Sequence, residues 1–69
     1  MSTIIVDTRG RSCPEPVLMT KKALEKTAER YEILIDNQTA LGNISRLLKS
    51  RNRDYRLERK EDEFVLTIG

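Results

Sequence analysis

Two kinds of hydrophobic spacing follow one another along this chain, and their order limits the possible folds more than any other feature of the sequence. Four segments have the two-residue alternation or the β-branched content of strands: residues 2–7, 31–36, 54–60 and 63–68. Two segments repeat apolar side chains every three or four positions, as amphipathic helices do: residues 17–28 and 40–50. The predicted order is therefore β-α-β-α-β-β.

This order predicts a mixed sheet. A right-handed crossover through the first helix makes strands one and two parallel. The short link Glu61-Asp62 makes the last two strands an antiparallel hairpin. Each helix has one apolar face, so we expect an α/β (α+β) two-layer sandwich with both helices on one face of four strands. Residues 1–69 contain no repeat or linker and are predicted to form a single domain, whose small size leaves a marginal core.

The sequence has no histidine and a single cysteine, Cys13, and these two counts exclude whole classes of site. Without histidine there is no Ser-His or Cys-His nucleophile pair and no histidine-containing zinc site. With one thiol there is no internal disulfide, no CxxC redox pair and no cysteine-rich metal site. We therefore predict no metal and no cofactor, and any covalent chemistry depends on Cys13.

Cys13 lies where the polar loop 8–12 leads into the first helix, in the run Cys13-Pro14-Glu15-Pro16. Prolines suit a first helical turn, and the positive end of the helix dipole favours a thiolate there. Lone cysteines are, however, among the most buried residues and often act as small hydrophobes. Cys13 is out of phase with the apolar stripe of the helix, so position alone leaves both interpretations open.

The net charge of +2 does not by itself indicate a nucleic-acid-binding protein, but the basic residues are unevenly distributed. Residues 46–60 contain seven Lys and Arg side chains against only Asp54 and Glu58. A solvated helix end and edge strand explain this stretch, and a surface for polyanions is the alternative. The N-terminus resembles neither a signal peptide nor a membrane anchor, so a cytoplasmic location is expected.

The residues around the cysteine resemble a known family. The run from Val6 to Val17 contains Asp-x-x-Gly-x-x-Cys-Pro-x-Pro, and it resembles the signature of the TusA family of small sulfur carriers, also called SirA-like or YedF-like. The resemblance covers essentially the whole chain, because the family's β-α-β-α-β-β sandwich matches the derived order. Segments 20–24, 36–40 and 43–46 look more like the YedF-type branch, which is linked to selenium metabolism.

The resemblance implies a persulfide relay. The motif cysteine of the family accepts sulfane sulfur from a cysteine desulfurase or a rhodanese-type donor and passes it to an acceptor protein, in the best-known case for thiolation of tRNA. Carried over by position, Cys13 is the sulfur carrier. By the same carry-over, Pro14, Glu15 and Pro16 would shape its presentation, and Gly10 and Arg11 would form the loop beside it.

Three functions can be compared on these sequence features. The leading one is a sulfurtransferase-type persulfide carrier that borrows the catalysis of its protein donor and acceptor, rather than an autonomous enzyme. The second is a basic nucleic-acid-binding module that uses residues 46–60. A thiol redox sensor would need a resolving thiol that this chain does not contain. Donor, acceptor, oligomeric state, the choice between sulfur and selenium, and any fusion to a longer chain stay open at this point.

Overall fold

The predicted order of elements is confirmed by a computed structural model of the chain, which describes residues 2–11 and 15–69. The two helices are α1 (Glu15–Leu24) and α2 (Gln38–Ser50). The four strands are β1 (Thr3–Asp7), β2 (Arg30–Ile35), β3 (Tyr55–Arg59) and β4 (Phe64–Ile68). The strands agree with their predicted bounds to within one residue, and the helices to within four.

The strands form one mixed sheet in the order β1-β2-β4-β3. β1 runs parallel to β2, with Val6 opposite Ile33. β4 is antiparallel to both of its neighbours, β2 and β3, with Leu66 opposite Ile33 on one side and Leu57 on the other. The predicted fold class is therefore confirmed, and the parallel pair places the carboxyl ends of β1 and β2 side by side.

The core lies between the sheet and the two helices. Alternate residues of the inner strands point into it and are almost fully buried, as are the apolar side chains of α2 that face the sheet. The buried residues of this cluster are Val6, Ala23, Leu24, Tyr31, Ile33, Ile35, Ala40, Ile44, Leu48, Leu66 and Ile68. The opposite face of the sheet carries no helix, and Ile5 on that face is 63% exposed.

The start of α2 is capped by a side chain. Asn37 is the N-cap residue, and its side-chain oxygen accepts a hydrogen bond from the backbone N–H of Ala40 at 2.7 Å. This bond satisfies one of the amides that a helix leaves unpaired at its first turn.

α1 ends earlier than its apolar spacing predicted. The periodic stripe includes Ala28, but the helix ends at Leu24 and closes with shorter turns, in which the N–H of Lys26 donates to the carbonyl of Ala23. The Tyr31 hydroxyl then donates to the carbonyl of Lys26. Ala28 lies in this connection and still packs against the core. Its apolar spacing therefore reflects its burial and does not indicate a helical residue.

β3 is an edge strand with little cover. Tyr55 packs against the core, while the four residues that follow it in the strand are exposed. Leu57 has the same alternation as Tyr55, yet 41% of it is accessible because it lies at the rim of the sheet. The hairpin predicted at Glu61-Asp62 is confirmed by paired backbone bonds between Lys60 and Glu63.

Candidate functional site

The polar loop after β1 forms a tight turn that is fixed to β2. The backbone N–H and the hydroxyl of Thr8 both donate to the carbonyl of Leu34, at 3.0 and 2.6 Å. The N–H of Arg11 donates back to the carbonyl of Thr8, which closes a four-residue turn over residues 8–11. Gly10 occupies its third position with φ +76°, the conformation that a type II turn requires there and that glycine adopts without strain. We call these four residues the 8–11 turn.

Asp36 holds the tip of this turn. One of its carboxylate oxygens accepts the backbone N–H of Gly10 at 2.7 Å, and the other accepts the side-chain amide of Asn37 at 3.1 Å. These donors favour the ionised form, so the pKa of Asp36 lies below its ordinary value, with the Gly10 amide as the largest cause. A carboxylate at the end of β2 therefore receives the turn that leaves β1.

Arg9 connects the base of the turn to the end of β1 and to the residue before β4, on either side of β2. Its guanidinium donates to the two oxygens of Asp7, each at 2.9 Å, and to Glu63 at 2.9 Å. These bonds join the end of β1 to the start of β4 across the end of β2. The Arg9 hydrogen bonds lower the pKa of Asp7 to about 2 from its ordinary 3.8, and the two carboxylates raise the pKa of Arg9.

The first turn of α1 is held by contacts of Glu15 and Pro16. The Arg11 guanidinium lies 3.5 Å from the Glu15 carboxylate, and both side chains are exposed. Pro16 is fully buried beneath the helix, and its carbonyl accepts the hydroxyl of Thr20 at 2.9 Å. Of the predicted site residues, Gly10, Arg11 and Glu15 thus lie at the surface, and Pro16 is buried.

Cys13 and Pro14, the other two predicted site residues, lie outside the described residues, as does Ser12. The two chain ends that lead to them are well defined: Arg11 belongs to the 8–11 turn and Glu15 begins α1. The segment that carries the thiol is therefore short and is attached at both ends to fixed parts of the fold.

A groove runs from this site along the outer face of α1. It has a volume of about 550 Å³ and has an apolar floor of Leu18 and Met19. Charged residues surround this floor: Arg11, Glu15, Lys21, Lys22 and Glu25. Leu18 is 51% exposed. An apolar strip with a polar rim beside the candidate site has the character of a protein-docking surface.

Comparison with known proteins decides the family. Residues 4–69 match the family model described as Sulfurtransferase TusA. The chain belongs to the TusA family. It is 39% identical over 66 residues to the "Putative sulfur carrier protein MJ0990" of Methanocaldococcus jannaschii, a match that covers 91% of this chain and 88% of that protein. The resemblance read from the cysteine motif is thereby confirmed at the level of the TusA and SirA-like sulfur carriers.

A solved structure supports the same assignment. The crystal structure of the SirA-like protein from Desulfitobacterium hafniense superposes with a TM-score of 0.84 at 28% sequence identity. The match covers 94% of this chain and 93% of that one. The likeness extends over the sheet and both helices, so this chain shares the whole architecture of that relative.

Sequence reasoning missed two anchors of the TusA-type site, Asp36 and Glu63. Glu63 is 54 positions away from Arg9 along the chain, and no local pattern joins them. Asp36 could have been found, because the parallel pairing of β1 with β2 brings the residues after Leu34 beside those after Asp7. Thr8 was interpreted as part of a polar loop, but it is 1% exposed and belongs to the fixed base of the turn.

The basic residues of 46–60 do not form one continuous surface. Arg46 and Lys49 lie on the exposed side of α2, whereas Arg56 lies on the sheet face that has no helices. Arg53 and Arg59 cover aromatic rings, of Tyr31 at 5.6 Å and Phe64 at 5.7 Å. A continuous basic groove with exposed aromatic side chains, which is typical of proteins that bind single strands, is not seen among residues 2–11 and 15–69.

Two features are absent from residues 2–11 and 15–69. There, no cluster of three or more histidine, cysteine, aspartate or glutamate side chains has the arrangement to hold a metal ion. None of the helices in that part of the chain has the length and apolar character needed to cross a membrane.

Proposed function

We propose that this chain carries sulfane sulfur as a persulfide on Cys13, receiving it from a protein donor and passing it to a protein acceptor. Membership of a sulfur-carrier family supports the class of cargo. The single cysteine of the sequence supports the residue, because no other side chain here can form a persulfide. The observation that carries the proposal is the placement of that cysteine between the 8–11 turn and the start of α1.

Transfer by a carrier of this kind is an exchange with no net oxidation. The Cys13 thiolate attacks the outer sulfur of a donor persulfide, a new S–S bond forms on Cys13, and the donor S–S bond breaks to release the donor thiolate. The same exchange in the reverse sense passes the sulfur to the acceptor thiolate. Neither step requires a histidine, a metal or a second cysteine on the carrier.

The partners in this proposal are a cysteine desulfurase or a rhodanese-like protein as donor, and a second protein as acceptor. Nucleic acid is then at most an indirect partner, reached through the acceptor. The groove with Leu18 and Met19 on its floor supports docking of such partners, because it starts at Arg11 and Glu15 on either side of the cysteine segment. A role in tRNA thiolation and the YedF-type link to selenium remain predictions from the resemblance.

Intact mass spectrometry tests the proposal. The chain is incubated with a cysteine desulfurase, its pyridoxal cofactor and free cysteine, and is then measured with and without reductant. We expect a gain of one sulfur atom that reductant removes, and no gain in Cys13→Ser.

A variant with the thiol at another place is the matched control. Cys13→Ser combined with Ser50→Cys retains one exposed cysteine but places it at the end of α2, far from the 8–11 turn. It should load slowly if site geometry matters. Equal loading of wild type and the relocated thiol would show that any exposed cysteine suffices, and would refute a dedicated site.

A further inference from the structure

β3 has one free edge. Among residues 2–11 and 15–69, β4 is its only neighbour in the sheet, and residues 56–59 are exposed. A free edge leaves a row of backbone N–H and C=O groups without strand partners, and these groups can pair with another strand. The question is which strand fits.

The β3–β4 turn determines which backbone groups point outward. Lys60 and Glu63 exchange both of their backbone hydrogen bonds, so they are a hydrogen-bonded pair. In an antiparallel ladder such pairs alternate with pairs whose backbone groups point away from the partner. Counting back along the register, the N–H and C=O groups of Arg59, Leu57 and Tyr55 point to the free edge.

The side chains around Leu57 are arranged in a self-complementary order. When a second β3 is laid antiparallel to the first with Leu57 opposite Leu57, Arg56 lies opposite Glu58 of the other copy. The flanking residues continue the pattern, since Asp54 then lies opposite Lys60, and Tyr55 opposite Arg59. Every charged residue of the strand thus meets an opposite charge or an aromatic ring, and the outward backbone groups face one another.

Neighbouring registers lack this property. Sliding one strand by two residues to centre the pair on Arg56 places Arg56 against Arg56 and Asp54 against Glu58. Sliding it the other way, to centre on Glu58, places Glu58 against Glu58 and Arg56 against Lys60. Like charges directly opposite are destabilising, so the charge order selects one register.

We propose that two copies of this chain pair through β3, antiparallel and centred on Leu57, to form an eight-stranded sheet with two-fold symmetry. Within the described residues, none of the charged side chains of 53–61 makes a salt bridge in the single copy. The exposed Leu57 side chain gains an apolar partner at the symmetry axis. An unrelated acidic segment would satisfy the arginines but would leave Glu58 opposite a like charge.

The 8–11 turn stays clear of the interface in this dimer. It follows β1, which is the opposite edge of the sheet from β3. The two-fold axis therefore lies at the far side of each copy from the 8–11 turn. Dimer formation and sulfur loading are thus independent properties that can be measured separately.

Charge reversal tests the interface by sedimentation velocity of the full chain, from micromolar to millimolar concentration, with reductant present to exclude disulfides. Wild type should dimerise as concentration rises. Arg56→Glu and Glu58→Arg each replace two attractive cross-strand pairs with two repulsive ones, so each variant alone should have a dissociation constant raised by roughly tenfold or more. Mixing the two variants should restore a dimer, because each then faces the opposite charge.

The backbone contribution has its own variant. Leu57→Pro removes an outward N–H that β4 does not use and should abolish the dimer, whereas Leu57→Ala, which retains that N–H, should weaken it less. In wild type, amide exchange of Tyr55, Leu57 and Arg59 should slow with concentration. A chain that stays monomeric at millimolar concentration would overturn the proposal. So would a dimer that neither the charge reversals nor the proline affects, because it would use another surface.

Discussion

At the scale of single residues, the Asp36 carboxylate connects the 8–11 turn to the start of α2. Asp36 follows β2 and accepts the amide of Gly10, and the same residue bonds the side chain of the N-cap Asn37. The 8–11 turn and the start of α2 are thereby fixed relative to each other. We interpret Asp36 as a positioning residue, because its contacts are with the turn that precedes Cys13.

Replacing Asp36 should slow sulfur transfer more than it disturbs the fold. In Asp36→Ala the Gly10 amide loses its acceptor and the turn becomes looser, so we expect single-turnover loading of Cys13 to fall by roughly tenfold. Asp36→Asn retains an acceptor oxygen at the same place and should recover much of the rate. Urea unfolding of each variant separates this effect from a general loss of stability.

The contradicting result is a loading rate in Asp36→Ala equal to that of wild type at equal folded fraction. That outcome would mean that the anchoring of the turn has no bearing on the reactive segment.

Which residues of the site could be predicted depended on how locally they are determined. Gly10 lies in a polar loop before a helix, and this local context by itself favours the positive φ that it adopts. The Asp36 contact depends on strand pairing, and the bond of Arg9 to Glu63 depends on the complete sheet order. Local propensity contains no information on such distant partners, because each of those side chains would suit any exposed loop.

At the scale of secondary structure, the turn and α2 make opposite demands on glycine. Gly10 has φ +76°, a backbone conformation that residues other than glycine adopt only at a cost in free energy. Gly42 lies within α2, where glycine is a poor helix former. An added Cβ meets no atom within 4 Å at either position. The two sites therefore differ in backbone conformation and not in available space.

This contrast predicts opposite effects of the same substitution. Gly10→Ala should lower the free energy of unfolding by about 1 kcal/mol, because alanine is strained in the left-handed region. Gly42→Ala should raise it by about 1 kcal/mol, because alanine has the higher helix propensity. Denaturant unfolding of the two variants beside wild type is the measurement. A shift of the same sign in both would contradict the backbone argument.

The ends of the elements were harder to predict than their type. The apolar stripe extended to Ala28, yet α1 ends at Leu24, since the connection to β2 remains against the core without being helical. Leu57 had the alternation of a buried strand residue but lies at the uncovered rim. In both cases the apolar periodicity indicated which residues could be buried. The tertiary arrangement determined where the helix ends and which strand residues are covered.

At the scale of the whole molecule, carboxylates with hydrogen-bonded partners make the free energy of unfolding depend on pH. The pKa of Asp7 falls to about 2 in the folded chain, and that of Asp36 is also lowered. A carboxyl group with a lower pKa when folded stabilises the fold above its unfolded pKa of about 3.9 and loses that effect as pH falls. Arg9 stays cationic throughout, so the carboxylates alone cause the change.

We therefore expect the urea midpoint to fall between pH 5 and pH 2, most steeply below about pH 4. Asp7→Asn should reduce both the midpoint at neutral pH and its decline in acid. Asp62→Asn is the matched control, because the Asp62 side chain has no hydrogen bond or ion pair within residues 2–11 and 15–69. An acid response that is unchanged in Asp7→Asn would refute the assignment of this effect to the Arg9 contacts.

The strand order also has a consequence for how the chain folds. β3 reaches the sheet only through β4, although β3 comes first in the sequence. The sheet therefore cannot grow strand by strand along the chain; β3 can join it only after β4 or together with it. Because the β3–β4 hairpin is local in sequence whereas β4 and β2 are far apart along the chain, we expect the hairpin contacts to form faster than the β2–β4 contacts.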